Sequence, residues 1–319
     1  MESRLDLFVG IDGGGTGTST AIIDSDGRVI SEGSGGPCNI AVQTDFDIVQ
    51  SLTDSTHSAS TPLLISQPDL QFECACAGIA GYSANERRFQ FEVIFRSTIK
   101  ARRYRVEPDY VIAYWGATHG EPGIVIVAGT GAVAYGRDAA GRTFRSDGLG
   151  YLLGDRGSGF DLGISCLRHA ALQIESSTKD AITLAVQDFT HAANQSDLVQ
   201  WLYGGFTTAR VASIAPVVGS LAEAGDIDAR RLVSIVASRL RQTVDDVRRE
   251  LNMPQETPIY PLGGLWKLGS YLRTEFEYPD FSQGVFGADI VQRDAIGRMH
   301  VVPARSSAVY GAALLAMQP

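Results

Sequence analysis

The opening stretch of the chain holds three short apolar runs separated by glycine and turn residues. Residues 5–11, 18–24 and 28–33 each read as a strand. Asp24-Ser25-Asp26-Gly27 joins the last two as a tight hairpin, because Asp-Gly accepts positive φ. Residues 45–60 carry apolar side chains at helical spacing, and 61–69 form a Pro-containing connection. Strands are predicted over 72–78 and 103–107, with a helix over 84–99 between them. The second half opens in a similar way, with strands at 124–128 and 133–136 around a glycine turn. Helices follow over 160–173, 178–192, 197–203, 209–224 and 228–251. In the last of these, Leu232, Ile235, Val236, Leu240, Val244 and Val247 make one apolar stripe at 3.6-residue spacing. A strand at 259–262 then leads into a helix beginning near Leu265. The pattern predicts an α/β chain of two lobes, with glycine loops at the seam.

Those glycines change the picture from fold to chemistry. The chain has 35 of them in 319 residues, above the ~7% typical of proteins. They cluster at 10–17, 33–36, 78 and 81, 116–131, 148–163, and 263–264, and most clusters follow an apolar strand-like run. Glycine at a strand end is where backbone approaches a ligand closely or takes positive φ, whereas linker glycines lack a preceding buried strand.

Charge narrows the classes further. Lys and Arg number 27 against 36 Asp and Glu, a net charge of −9, with no basic run. This argues against a nucleic-acid binder or a protein held on an anionic membrane. Cys38, Cys74, Cys76 and Cys166 form no CxxC pair, and the five histidines show no metal-ligand spacing. The N-terminal residues lack a signal-peptide pattern, and no apolar run is long enough to span a membrane. A cytoplasmic, non-metallo, globular protein is the expectation.

Five motifs carry candidate chemistry. Gly10-Ile11-Asp12-Gly13-Gly14-Gly15-Thr16 lies between two strands. It has neither the Lys of a Walker loop nor the helix that follows a dinucleotide fingerprint. Its amides suit phosphate oxygens, as a nest of N–H groups does, and Asp12 makes sense there if water-bound Mg²⁺ sits between. A glycine-rich hairpin with a turn Asp is the structural alternative. Gly129-Thr130-Gly131 repeats the strand–turn–strand logic in the second half, so the two loops read as two jaws on one polyphosphate. Asp109 ends the strand before that loop. The stretch Asp147-Gly148-Leu149-Gly150-Tyr151-Leu152-Leu153-Gly154-Asp155-Arg156-Gly157-Ser158-Gly159 leads into a helix, where Asp155 or Ser158 could equally serve as an N-cap. Gly263-Gly264 at a strand-to-helix turn suits the flat face of adenosine, with helix packing as the alternative.

The order GIDGGGT, Asp109, AGTG, GDRGSG and a late Gly-Gly resembles the actin-like sugar kinase and ATPase superfamily, over nearly the whole chain. Within it, the closest resemblance is to N-acetylglucosamine kinases and BadF/BadG/BcrA/BcrD-type ATPases. Gly263-Gly264-Leu265-Trp266-Lys267 resembles the Gly-x-x-Trp-Lys element of those kinases, and Gly36-Pro37-Cys38-Asn39 resembles their sugar-facing Asn loop. The resemblance implies a two-lobed, ribonuclease-H-like fold with ATP and Mg²⁺ in a central cleft. It also implies that the closing helix, 307–317, packs back on the first lobe. Lobes of 1–115 with 303–319, and of 116–302, follow.

By the same resemblance, Asp109 is the catalytic base. Gly13, Gly14, Gly15, Thr16, Gly129, Thr130, Gly131, Gly263, Gly264 and Lys267 hold ATP, with Asp12 on the Mg²⁺ side. Asn39, Asp109, Gly148, Leu149, Gly150 and Asp155 hold the sugar. The expected reaction is phosphorylation of N-acetylglucosamine to its 6-phosphate by a homodimer. Alternatives are glucosamine, N-acetylmuramic acid or glucose as acceptor, or an ATPase that activates a partner reductase. The chain departs from the family pattern at Gly17, Ala132 and Leu149. It departs also at Arg156, which reverses a charge near the expected sugar site. The apolar setting of Cys74, Cys76 and Cys166 argues against the cluster-binding activator.

Overall fold

A computed structural model describes residues 6–65, 67–84, 86–278 and 297–319. Leu5, Ser66 and Asn85, each inside an expected element or connection, lie outside the described residues. The chain divides into two units, Met1–Glu121 with Pro303–Pro319, and Pro122–Val302. The expected boundary at 115/116 falls inside a helix, Asp109–Thr118, that belongs wholly to the first unit.

In chain order the first unit contains β1 (Leu7–Gly13), β2 (Thr18–Asp24), β3 (Val29–Gly35) and α1 (Asp45–Leu64). It continues with β4 (Phe72–Ile79), α2 (Arg88–Thr98), β5 (Ala101–Pro108) and α3 (Asp109–Thr118). The second unit opens with β6 (Gly123–Ala128), β7 (Ala132–Arg137) and β8 (Thr143–Asp147). Its helices are α4 (Gly159–Gln173), α5 (Ala181–Thr190), α6 (Gln195–Tyr203), α7 (Thr208–Ala212), α8 (Ala215–Glu223) and α9 (Ile227–Glu250). It closes with β9 (Ile259–Leu262) and α10 (Ser270–Glu277), and the chain returns to the first unit as α11 (Ala308–Met317).

The two sheets share a plan. The first is ordered β3-β2-β1-β4-β5 and the second β8-β7-β6-β9. In each, an antiparallel three-strand meander is extended by parallel strands: β1 with β4 and β4 with β5, and β6 with β9. Parallel neighbours need a crossover, and here the crossovers are helical. In the first unit Val9, Ile11, Ala75 and Ala77 are fully buried against Ile48 and Leu52 of α1 and Phe91 and Phe95 of α2. α11 packs on α3 and β1, as expected for the closing helix. A Cβ at Gly10 would overlap the backbone of Val309 and Ala313, so only glycine lets that helix lie on the strand. In the second unit the α9 stripe buries Val236, Leu240, Val244 and Val247 in a core shared with Ile124, Ile126 and Leu162. No helix among the described residues is long and apolar enough to cross a membrane.

Four expectations are corrected. α1 runs through Pro62 to Leu64 instead of stopping at residue 60. Proline there removes a single last-turn bond, while Leu63 and Leu64 still pack on the core. The expected helix over 209–224 breaks into α7 and α8, because Pro216 has no N–H to continue the ladder and is tolerated only in a first turn. α3 was not expected, since Val111, Ile112, Ala113, Tyr114, Ala117 and Thr118 are all buried and leave no polar face to mark a period. β8 was missed because only its last two residues are buried, so Thr143-Phe144-Arg145 shows no apolar alternation.

Candidate active site

In the first unit the site is built where the parallel strands end, the usual ligand side of such sheets. Asp12 lies one residue before the end of β1, paired with Gly78 of β4, and Asp109 immediately follows β5. The two carboxyls therefore stand on either side of β4. Burial raises Asp12 to about 6, and the charge of Asp109 adds to the rise. Burial also raises Asp109 to about 6, against the lowering effect of backbone N–H groups. Neither carboxyl forms an ion pair among the described residues.

The structure corrects the expected setting of Asp109. It opens α3 instead of ending a strand, with Pro108 at the N-cap position. Its carboxylate is not free of its own backbone either, because the Tyr110 N–H donates to Oδ1 at 2.9 Å. The N–H of Asp109 itself adds to this hold. Gly78 makes room for this arrangement: a Cβ there would overlap the Ile112 side chain, which is fully buried in α3.

The glycine turn beside Asp12 is closed by Gly14 N–H donating to Gly17 O at 2.9 Å. Gly13 O and Gly14 O accept from Ala80 N–H and Cys38 N–H, both at 2.9 Å, which ties the turn to β4 and to the Asn39 loop. Gly15 and Thr16 are exposed, and their amides donate to no acceptor among the described residues. Such amides are available to an anion. Asn39 comes next to them, since a Cβ on Gly15 would lie 4.0 Å from Asn39 Nδ2. Asn39 Oδ1 is already occupied, accepting from Ala41 N–H at 2.9 Å. The residue therefore offers a ligand its Nδ2 donor and the second lone pair of Oδ1.

In the second unit, Gly129 N–H donates to Gly131 O at 2.9 Å and closes the second glycine turn. Gly129 O and Thr130 O accept from Gly159 N–H (2.7 Å) and Phe160 N–H (3.2 Å). The first amides of α4 are thus consumed by the turn, and Ser158 caps the helix by accepting from Asp161 N–H. Asp155 is not the cap. It has φ of 56° and accepts from Ala132 N–H at 3.2 Å. A Cβ on Gly131 would lie 2.9 Å from its Oδ2. The expected sugar carboxylate is thereby brought against the expected phosphate turn. Burial, with a further contribution from Asp147, raises its pKa.

Gly263, with φ of 100°, sits against the end of β6, where a Cβ would overlap Ala128 O. Gly264 N lies 4.0 Å from the Cβ position of Gly129, so the Gly-Gly turn and the Gly-Thr-Gly turn are neighbours. The expected helix from residue 265 is instead a 3₁₀ turn, Gly264–Lys267, with Lys267 exposed at its end and α10 beginning later. Glycine at 269, with φ of 138°, separates the two.

Sequence reasoning missed Asp147. Its side chain is 1% exposed and its carboxylate accepts from three backbone amides and from Arg156 Nε. The signal was an Asp placed directly before a glycine-rich loop, where Asx side chains bind nearby backbone. Arg156 is not a stray charge in the sugar site: it is paired with Asp147 and Asp246. All four cysteines are free and buried, and burial pushes the Cys38 and Cys166 thiols to about 12. No group of three or more His, Cys, Asp or Glu among the described residues is placed to hold a metal.

Comparison with known proteins agrees with this fold. The chain is 30% identical over 300 residues to an N-acetylmuramic acid/N-acetylglucosamine kinase of Clostridium acetobutylicum, covering 89% of this chain and 97% of that one. It is 25% identical over 272 residues to an N-acetyl-D-glucosamine kinase of Dictyostelium discoideum, covering 81% and 85%. The solved structure of a candidate N-acetylglucosamine kinase from Chromobacterium violaceum has the same fold, with a TM-score of 0.75 at 24% identity over 98% of this chain and 99% of that one. Residues 9–278 match the profile of the BadF/BadG/BcrA/BcrD ATPase family, and the chain belongs to that family.

Proposed function

We propose that the protein is an ATP-dependent kinase that phosphorylates an amino sugar, N-acetylglucosamine at its 6-hydroxyl. The observation that carries this reading is the pair Asp12 and Asp109, two carboxyls raised by burial at the ends of two parallel strands, beside amides of Gly15 and Thr16 that meet no acceptor among the described residues. The names of the Clostridium and Dictyostelium relatives support the acceptor class.

Asp109 acts as the proton acceptor. As the sugar oxygen bonds to the γ-phosphorus, its proton passes to the carboxylate of Asp109. The bond from that phosphorus to the β,γ-bridging oxygen breaks, and ADP leaves with the electron pair. Such transfer depends mainly on positioning and on charge stabilisation of the phosphoryl oxygens. Gly13, Gly14, Gly15 and Thr16 supply amides for phosphate oxygens, as do Gly129, Thr130 and Gly131. Gly263 and Gly264 take the adenosine face, and Lys267 stands beside it. Asn39 Nδ2 donates to a sugar oxygen, and Gly148, Leu149, Gly150 and Asp155 complete the sugar contacts.

Mg²⁺ fits these residues, because a pair of carboxylates beside a glycine turn suits an ion that keeps its waters and takes phosphate oxygens. Asp12 would hold it through water, and it would supply charge neutralisation on the phosphates. A cytoplasmic homodimer completes the reading. The test is ADP release with N-acetylglucosamine, glucosamine, N-acetylmuramic acid and glucose. The highest kcat/KM is expected with N-acetylglucosamine. ADP release that no sugar stimulates would overturn the proposal.

A further inference from the structure

We infer that Asp147 is a positioning residue: with Arg156 it clamps both ends of the loop 148–155, which carries the candidate sugar contacts, onto the long helix α9. This rests on the proposed sugar-binding role of that loop. Asp147 Oδ1 accepts from Gly148 N–H at 2.8 Å and from Asp155 N–H at 2.5 Å, so one oxygen joins the first and last residues of the loop. Oδ2 accepts from Arg156 N–H at 3.1 Å and from Arg156 Nε at 3.0 Å. The far side of the same guanidinium reaches Asp246 Oδ2 of α9 at 3.4 Å. Asp246 is itself tied to Ser146 Oγ at 3.2 Å and to Arg249 at 3.2 Å.

Burial does little to hold this loop. Leu149, Leu152 and Leu153 are 56%, 80% and 83% exposed. Tyr151 is also exposed, at 39%, and only its ring finds partners, its centroid 5.0 Å from Phe160 and 5.6 Å from Phe206. A loop with an exposed apolar tip relies on its ends, and a buried carboxylate taking four charge-assisted or backbone bonds is a strong tie. Asp147 itself has φ of 67°, a region that Asp and Asn tolerate better than other residues with a Cβ. The charge reversal at Arg156 has its partner here: an acid at 147 answers the base at 156. A glutamate at 156 would set three acids together.

The test combines two variants with two readouts. Asp147→Asn keeps the left-handed backbone and one acceptor oxygen but turns an amide group toward Arg156. Arg156→Glu places like charge against Asp147 and Asp246. For both, hydrogen exchange at the amides of Gly148, Asp155 and Arg156 is expected to quicken about tenfold or more in the sugar-free protein. The sugar KM is expected to rise about tenfold, with the ATP KM within twofold of wild type. The double variant Asp147→Asn with Arg156→Glu lets the new amide donate to the new carboxylate, and the sugar KM is expected to recover part of the loss. Unchanged exchange in either single variant overturns the clamp. Faster exchange with an unchanged sugar KM overturns the positioning role, as does an equal rise in both KM values. A wild-type protein that phosphorylates no sugar sinks the proposed function instead, and the exchange data then decide the clamp alone.

Discussion

Asp12 and Asp109 flank β4 at the ends of two parallel strands, and the charge of Asp109 makes Asp12 harder to ionise. Burial pushes both carboxyls up to about 6, above the ordinary carboxylate range. The base role of Asp109 and the cation-side role of Asp12 both need the carboxylate form. Activity in saturating ATP and Mg²⁺ is therefore expected to fall as pH drops through about 6, although cation binding will pull the midpoint lower. A profile flat down to pH 5 at limiting Mg²⁺ would contradict both assignments.

The same shifts set the sign of a stability effect. A carboxyl whose pKa is raised on folding binds its proton more tightly in the native state. Its contribution is present below the unfolded pKa near 4 and is lost as pH rises through about 6. At neutral pH the ionised Asp12 thus opposes folding. Asp12→Asn is expected to raise Tm by roughly 2–4 °C at pH 7, with little gain at pH 4. The variant should also need more Mg²⁺ for half-maximal activity. A lower Tm at pH 7, or wild-type turnover at limiting Mg²⁺, would rule out this role.

Asn39 separates its two halves. Oδ1 serves the fold through Ala41 N–H, and Nδ2 is left for a ligand. Asn39→Asp keeps the acceptor and deletes the donor, so Tm should change little while the sugar KM rises on the order of tenfold, the scale of one lost hydrogen bond. An equal rise in the ATP KM would show that Nδ2 serves the nucleotide.

Gly78 is held by packing. A methyl there would meet the fully buried Ile112, and overpacking of this kind costs ~1–3 kcal/mol. Gly78→Ala should lose that much in denaturant unfolding, and Gly78→Ala with Ile112→Ala should lose less than the sum of the two single variants. Strict additivity would mean the strand and α3 yield independently.

Much of this molecule is legible in its sequence, for identifiable reasons. The meander β1–β2–β3 announces itself through short apolar runs and the Asp-Gly turn, and α9 through its stripe. Asp12, Asp109 and the glycine turns stand out because close backbone approach and acidic chemistry leave few other residue choices. The hidden parts are those where the pattern carries no contrast. α3 is buried all round, β8 is mostly polar, and the helix break before α8 depends on one proline. The tie between Asp147 and Arg156 hides for a different reason: residues nine apart in a loop meet only once its left-handed turns are drawn. Similarly, nothing in the letters of Asn39 says that Ala41 takes its oxygen.

Phosphoryl transfer by Asp109→Asn, measured as kcat on the sugar that wild type uses best, tests most directly whether Asp109 is the proton acceptor of an amino-sugar kinase. The isosteric amide can still hydrogen-bond the hydroxyl but cannot take its proton. A fall in kcat of about 10²–10⁴ is predicted, the usual cost of removing a general base, with sugar and ATP dissociation constants nearly unchanged. A kcat within about threefold of wild type, below any general-base contribution, would contradict the assignment and leave Asp109 a structural residue at the start of α3.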